Sequence, residues 1–413
     1  MAKRVVITGM GIVSPIGNNL PEFWTGLSEG RSGGGYITRF DTEGFPSRIA
    51  AEVKDFDPRK VMDGKEARKM DRFSQYAVVA AIEAMNHANF KPGEMDPERL
   101  GVILGCGIGG FESLENAYEK LFLDGPQRVQ PLTIPKMIPN IGPGNVAIQL
   151  NAQGPCFNIA TACASGTDAI GNAAMYLRNG LCDAVITGGV EAAITKMGVM
   201  GFCVIQALTT NNQVPERASR PFDRDRDGFL VGEGAGVLVL ETLEHAQKRG
   251  ATILAEVAGY GATCDANHLT APHPEGRGAV KAMQLALDSA GLKPEQVDYI
   301  NAHGTSTPMN DPIETKAIKK VFGDHAYKLK VSSTKSMTGH CIGAAGGIEA
   351  IACVLGIQND YYPPTINLEN PDPECDLDYV PQKGVKGRLD VAMSNSLGFG
   401  GHNGVLIVRK FVA

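Results

Sequence analysis

Short apolar runs at 5–8, 102–104, 157–160, 184–187, 237–240, 299–301 and 391–394 predict strands, and the stretches between them carry helical patterns. Strand and helix alternate along the whole chain, as in α/β proteins. The run at 157–160 ends just before Cys163, and a helix of small residues is predicted over 165–177. One helix start stands out. Asp311 fits an N-cap, Pro312 the first turn and Glu314 a capping box, with Gly323 ending the helix. The N-terminal segment, 1–17, reads as a strand and a glycine turn rather than a signal peptide. No run approaches the ~20 apolar residues of a membrane span.

Cys163-Ala164-Ser165-Gly166-Thr167-Asp168-Ala169-Ile170 is echoed faintly by the stretch from His340 to Ala350. In both, a reactive side chain precedes a helix of small residues. Glycine inside a helix costs up to about 1 kcal/mol, so such runs predict close packing against other backbones. The echo suggests two similar halves, 1–250 and 251–413, meeting near Gly250.

Composition narrows the class. The chain has 413 residues, 43% of them hydrophobic, enough for a large core and two domain-sized units. A net charge of −6 argues against a general nucleic-acid binder. Nine cysteines, an odd number without paired metal spacing, argue against a disulfide framework and for a reducing, cytoplasmic setting.

The chemistry gathers around Cys163. A strand-to-helix turn puts its sulfur at a helix N-terminus, where free N–H groups and the dipole favour a thiolate. A cysteine taken alone is more often an inert core residue. Two histidine loops change that reading: Asn301-Ala302-His303-Gly304-Thr305-Ser306-Thr307 and Lys335-Ser336-Met337-Thr338-Gly339-His340. Their glycine and hydroxyl neighbours are not what a core histidine requires. Glu349 is the one charge in the apolar stretch 341–357, so it needs a buried partner, for which Lys335 is the natural candidate. That pair either holds the loop or joins the chemistry.

Other motifs lead elsewhere. Gly105-Cys106-Gly107-Ile108-Gly109-Gly110 fits a dinucleotide fingerprint, but the acidic residue closing a second strand is missing, since 118–125 reads as helix. Gly9 and Gly11 lack a third glycine. His268 and His273 lack zinc spacing with other ligands and read as solvated loop residues.

Together with Val5-Val6-Ile7-Thr8-Gly9-Met10-Gly11 and Gly398-Phe399-Gly400-Gly401, these residues resemble the thiolase superfamily, and within it the β-ketoacyl-[acyl-carrier-protein] synthases. The resemblance covers the whole chain. Asp265-Ala266-Asn267-His268-Leu269-Thr270 and the segment from Pro363 to Asp378 favour the elongating branch, synthase II. The resemblance implies two pseudo-symmetric halves in a five-layered αβαβα arrangement, and a homodimer. It implies ping-pong chemistry in which Cys163 takes an acyl chain from acyl carrier protein. Malonyl-carrier protein then loses carbon dioxide and lengthens the chain by two carbons. His303 and His340 would stabilise the enolate, and the N–H groups of Cys163 and Phe399 would form the oxyanion hole. Lys335 and Glu349 would belong to the site. Thr305, Thr307 and Thr270 would meet pantetheine, and Ile108 and Phe202 would line the acyl pocket. No cofactor is required, although Asn301, Glu349, Ser394 and Asn395 match positions able to hold a structural monovalent cation.

Lys65, Arg68, Lys69 and Arg72 recur at helical spacing and suggest a docking face for the acidic carrier protein. Three positions depart from common members: Gln206 for an arginine of the docking surface, and Leu397 and His402 for phenylalanine and threonine beside the glycine gate. A degradative thiolase would need a late Cys-x-Gly, but Cys375 is followed by Asp376-Leu377. A non-catalytic chain-length partner would often lack Cys163. A stand-alone polyketide ketosynthase shares the same site residues and stays open.

Overall fold

The computed structural model describes residues 3–90 and 95–412. Ten strands form its main sheet: β1 (Val5–Val13), β2 (Leu100–Gly105), β3 (Cys156–Ile159), β4 (Ala184–Glu191), β5 (Gly234–Thr242), β6 (Ala255–Cys264), β7 (Tyr299–Asn301), β8 (Lys330–Ser332), β9 (Val391–Gly398) and β10 (His402–Arg409). The order across the sheet is β8-β7-β9-β10-β6-β1-β5-β4-β2-β3. Counted outward from the middle, one side reads 1-5-4-2-3 and the other 6-10-9-7-8, the same sequence raised by five. Within the sheet the halves meet at β1 and β6, where Val6 pairs with Glu256 and Ile7 with Ala255 in antiparallel register.

Five helices complete the layers: α1 (Arg72–His87), α2 (Ser165–Arg178), α3 (Arg277–Ala290), α4 (Asn310–Phe322) and α5 (Ala345–Asn359). Helix α1 covers the outer face of the first half, and α3 with α4 covers the outer face of the second. Between the halves lie α2 and α5, each touching strands of both. The result is the αβαβα stack that the family resemblance implies. The stretch Ile342–Asn359 is long and apolar enough to cross a membrane, but it is a core helix, 89% buried in the fold.

Glycines set the spacing. A Cβ on Gly9 or Gly11 of β1 would lie 2.2 or 2.0 Å from a carbonyl oxygen of α1, and on Gly259 or Gly261 of β6 it would lie 2.2 Å from one of α3. Each half therefore uses the same pair of glycines to admit its outer helix. In the centre, a Cβ on Gly166 would lie 2.9 Å from both the Gly343 carbonyl oxygen and the Gly347 nitrogen. The two central helices meet backbone to backbone, as their small residues predict.

The internal repeat needs a correction in register. Ala162 has φ 49° and Ile342 φ 48°, and each begins the short turn that leads into its central helix. Cys163 thus corresponds to Gly343, and His340 falls three positions earlier, on the loop. The helix start near Asp311 also differs. Helix α4 begins at Asn310 without a side-chain cap. Asp311 instead accepts the Phe222 N–H at 2.8 Å and lies 3.7 Å from Arg226. Glu314 is drawn away from the helix end by stronger partners, described below.

Candidate active site

Cys163 sits in the Ala162–Ala164 turn at the head of α2, 7% exposed. Left-handed backbone at Ala162 is unusual for a residue with a Cβ, and strain of this kind concentrates where a side chain must be aimed. Close packing holds the turn: a Cβ on Gly398 would lie 3.1 Å from the Cys163 nitrogen. The N–H groups of Phe399 and of Cys163 itself are directed at the sulfur, which makes a pair of backbone donors beside one nucleophile. Gly400, next in the Phe399–Gly401 turn, has φ 82°, a conformation suited to glycine.

The histidines arrive from the second half. His303 follows β7 and His340 precedes the Ile342–Ala344 turn. Their rings are nearly perpendicular, with centroids 5.3 Å apart. The Cys163 sulfur and one nitrogen of each ring all lie within 4.8 Å of one another. His303 Nδ1 and both ring nitrogens of His340 are buried without a hydrogen-bond partner. Both imidazoles are fully buried, and burial first, then the Lys335 ammonium, holds their pKa well below the usual value. At neutral pH both rings are uncharged, so each carries one N–H that can be offered to developing negative charge.

The expected resting thiolate is not what this environment favours. Burial pushes the Cys163 thiol up to about 11, against the downward pull of Lys335 and the two backbone N–H groups. The helix terminus supplies donors, but the pocket is too dry for them to win before substrate arrives.

Lys335 and Glu349 form a fully buried ion pair. Burial raises the Glu349 carboxyl to about 7, opposed by the lysine. Two further buried carboxylates, Glu314 and Glu191, hold the site, and the sequence reads neither as a site residue. Glu314 accepts the N–H groups of His303 and Gly304, both at 2.8 Å, and the Asn395 amide at 3.1 Å. It clamps the His303 loop. Glu191 accepts from Gly107 at 2.9 Å, Ile108 at 3.3 Å and Gly343 at 3.2 Å. It ties the Ile108 loop to the turn after His340. A capping-box pattern masked the first, and Glu191 at the end of an apolar strand gave no distinguishing signal.

Cys163, His303 and His340 open onto a cavity of 560 Å³ that Ile108, Phe202, Thr270, Thr305, Thr307, Leu397, Phe399 and Gln206 also line. The Thr305 and Thr307 hydroxyls lie 2.9 Å apart. Thr270 is exposed at the pocket wall, with its N–H donated to His268 Nδ1 at 3.1 Å. Gln206 is exposed in left-handed backbone with φ 55°. His402 lies against the gate: a Cβ on Gly400 would be 3.0 Å from its ring.

Asn301 and Ser394 are register partners on the neighbouring parallel strands β7 and β9. Glu349 Oε2, Ser394 Oγ and Asn395 Oδ1 are buried without hydrogen-bond partners. Unpaired buried oxygens of this kind suit a hard cation. Asn301 Oδ1 is taken up by the Thr334 hydroxyl at 3.4 Å.

The basic stripe is less continuous than its spacing suggests. Lys65 and Arg68 lie on a short helix, Gly64–Arg68, and Lys69 is its C-cap; all three are exposed. Arg72 begins α1 and is partly buried against Glu112 at 3.0 Å. Lys69 is paired with Glu66 at 2.6 Å. Asp71 caps α1 and separates the two helices, which takes Arg72 out of the patch.

Profiles for the β-ketoacyl synthase N-terminal and C-terminal domains match residues 2–246 and 254–369. The 3-oxoacyl-[acyl-carrier-protein] synthase 2 of Synechocystis sp. is 54% identical over 99% of this chain and 98% of its own. The same-named protein of Coxiella burnetii is 51% identical over 99% of each. Among solved structures, the ishigamide ketosynthase/chain length factor superposes over 100% of each chain with TM-score 0.94 and 39% identity. A type II PKS acyl-carrier protein in complex with its ketosynthase matches over 100% of each chain with TM-score 0.93 and 34% identity. The chain belongs to the β-ketoacyl synthase family.

The raised thiol makes a direct prediction. Only the thiolate is alkylated, so the rate of Cys163 labelling by iodoacetamide, followed by peptide mapping, should climb about tenfold per pH unit from neutrality upward. A plateau reached near pH 7 would mean that the amide donors and Lys335 outweigh burial.

Proposed function

We propose that this β-ketoacyl synthase lengthens acyl chains in fatty acid synthesis, with Cys163 as nucleophile and His303 and His340 as the donors that stabilise the decarboxylation enolate. The observation that carries the assignment of roles is one thiol and two uncharged imidazoles converging at the buried wall of an apolar cavity. A cysteine hydrolase would need one histidine oriented by Asn or Asp. Among the described residues no Asn or Asp side chain is hydrogen-bonded to His303 Nδ1 or to either nitrogen of His340.

In the first half-reaction the Cys163 sulfur attacks the acyl thioester carbonyl carbon. The oxyanion lies between the N–H groups of Cys163 and Phe399. The carbon–sulfur bond to pantetheine breaks, and the proton lost by Cys163 leaves on the pantetheine thiol. In the second, the bond from the malonyl α-carbon to its carboxylate breaks and carbon dioxide departs. The electron pair moves into an enolate whose oxygen accepts from His303 and His340. The α-carbon then attacks the acyl-Cys163 carbonyl and expels the cysteine thiolate, which takes up a proton from solvent, leaving a 3-oxoacyl thioester two carbons longer.

Burial, helped by the Lys335 ammonium, keeps both rings uncharged, and Glu349 pairs with that lysine. Thr305 and Thr307 hydrogen-bond the pantetheine arm, with Thr270 at the outer wall, and Ile108 and Phe202 border the acyl chain. No cofactor is needed. A monovalent cation held by Asn301, Glu349, Ser394 and Asn395 would brace β7 against β9; the three unpartnered oxygens support it.

Acyl carrier protein is the partner, docking on Lys65, Arg68 and Lys69. A second copy of the chain would pair along edge strand β3, which has a neighbour on one side only and packs against the helix Ile141–Leu150, where Ile148 is exposed. Sedimentation should then give the mass of two chains; a monomer overturns this. Nine free cysteines, two of them exposed, suit the cytoplasm. Use in a specialised polyketide pathway is the weaker reading, since identity falls from 54% with the Synechocystis synthase to 39% with the ishigamide ketosynthase.

Two experiments test this. His303→Ala and His340→Ala should each slow malonyl decarboxylation by roughly a thousandfold, the cost of one oxyanion donor. Acyl transfer to Cys163 should suffer less, and equal loss of both half-reactions would make histidine the general base of Cys163. Reversing Lys65 and Lys69 to Glu should raise KM for acyl-carrier protein, most at low salt, while turnover of a small pantetheine thioester stays unchanged. Loss of neither substrate would leave the patch as solvated surface.

A further inference from the structure

The three groups assigned to condensation also form a donor set of another kind. Cys163 Sγ and one nitrogen from each of His303 and His340 lie within 4.8 Å of one another. All three residues are buried, and no hydrogen bond occupies His303 Nδ1 or either nitrogen of His340. A Cys-His-His set with one side open to a cavity is the donor pattern of a zinc site that keeps a free coordination position. Bound ligands in such a tetrahedron stand about 3.4–3.6 Å apart, so each donor need move by only about an ångström.

We propose that this pocket is a site for a thiophilic divalent cation, Zn²⁺ foremost, held by Cys163, His303 and His340 with its fourth position facing the acyl cavity. Occupancy by the metal and acylation of Cys163 exclude each other, because acylation converts the thiolate ligand into a neutral thioester and a metal-bound thiolate is withdrawn from attack. The site is thereby an inhibitory one, set by the free zinc concentration.

The chemistry balances simply. The S–H bond of Cys163 breaks, an S–Zn bond forms, and the proton passes to solvent. Burial that keeps the imidazoles uncharged helps, since a metal binds the neutral ring. The Lys335 ammonium opposes a dication, but Glu349 is paired to it and offsets its charge. Soft sulfur and imidazole donors select zinc, cadmium or cobalt and reject magnesium and calcium, which want oxygen. The cavity of 560 Å³ gives the ion a route in.

The test needs no substrate, so its outcome is independent of the reaction assigned above. The full-length protein is incubated with ZnCl₂, and labelling of Cys163 by iodoacetamide is followed by peptide mapping. Stoichiometric zinc should slow labelling at least tenfold, EDTA should restore it, and magnesium should do nothing. With CoCl₂ the protein should show a thiolate-to-cobalt charge-transfer band that disappears in Cys163→Ser. His303→Asn and His340→Asn, each checked for an unchanged thermal transition, should weaken cobalt binding at least tenfold. Unprotected labelling of Cys163 in zinc overturns the proposal. A thiolate-to-cobalt band that survives in Cys163→Ser also overturns it, placing the metal on another cysteine, for example exposed Cys264. Protection that persists undiminished in both His303→Asn and His340→Asn removes the imidazoles from the site and overturns it as well.

Discussion

Backbone-to-backbone contact between the two central helices is the constraint on which the site depends. At Gly346 a Cβ would lie 2.4 Å from the Thr167 nitrogen, and at Gly166 2.9 Å from the Gly347 nitrogen. Only hydrogen-bearing positions allow this approach. It brings the Ala162–Ala164 turn against the Ile342–Ala344 turn, and so sets a cysteine from the first half opposite two histidines from the second. The same closeness buries all three side chains. Dryness then fixes the charge states: a thiol that stays protonated and imidazoles that stay neutral.

Buried carboxylates hold the arrangement from behind. Glu314 receives the backbone of the His303 loop, Glu191 the backbone on both sides of the cavity, and Glu349 the Lys335 ammonium. Each would be costly if left unpaired in a dry interior. Glu314 and Glu191 spend their lone pairs on N–H groups, which anchors loops while leaving the histidine rings unbound by any side chain. That freedom lets the ring N–H groups be offered to substrate.

The features legible in the sequence are those set by local pattern. Apolar runs located seven of the ten strands, and the small residues after Cys163 and His340 announced helices that pack tightly. The family resemblance, carried by whole motifs, gave the layered fold that the strand order bears out. What misled was pattern shared by two causes. Asp311, Pro312 and Glu314 spell a capping box, yet Glu314 gains more from three donors at the His303 loop than from a helix end. Lys65 to Arg72 has helical spacing, but Asp71 starts a new helix and turns Arg72 to Glu112. Aligning Cys163 with His340 matched reactive residues rather than backbone; the shared left-handed turn sets the register three residues later. The thiol's state was invisible because a helix terminus can be read from sequence, whereas the dryness around it arises only in the assembled fold.

Neutral imidazoles in a dry pocket are the centre of this account, and proton titration of the two rings tests it most directly. In protein carrying ¹³C-labelled histidine, resonances are assigned by comparing His303→Asn and His340→Asn and followed as pH falls from 8. The account predicts that both rings stay uncharged well below the ordinary histidine value of 6.5. Titration of either ring near or above 6.5 would contradict it, because a charged ring could not have been held there by desolvation and Lys335.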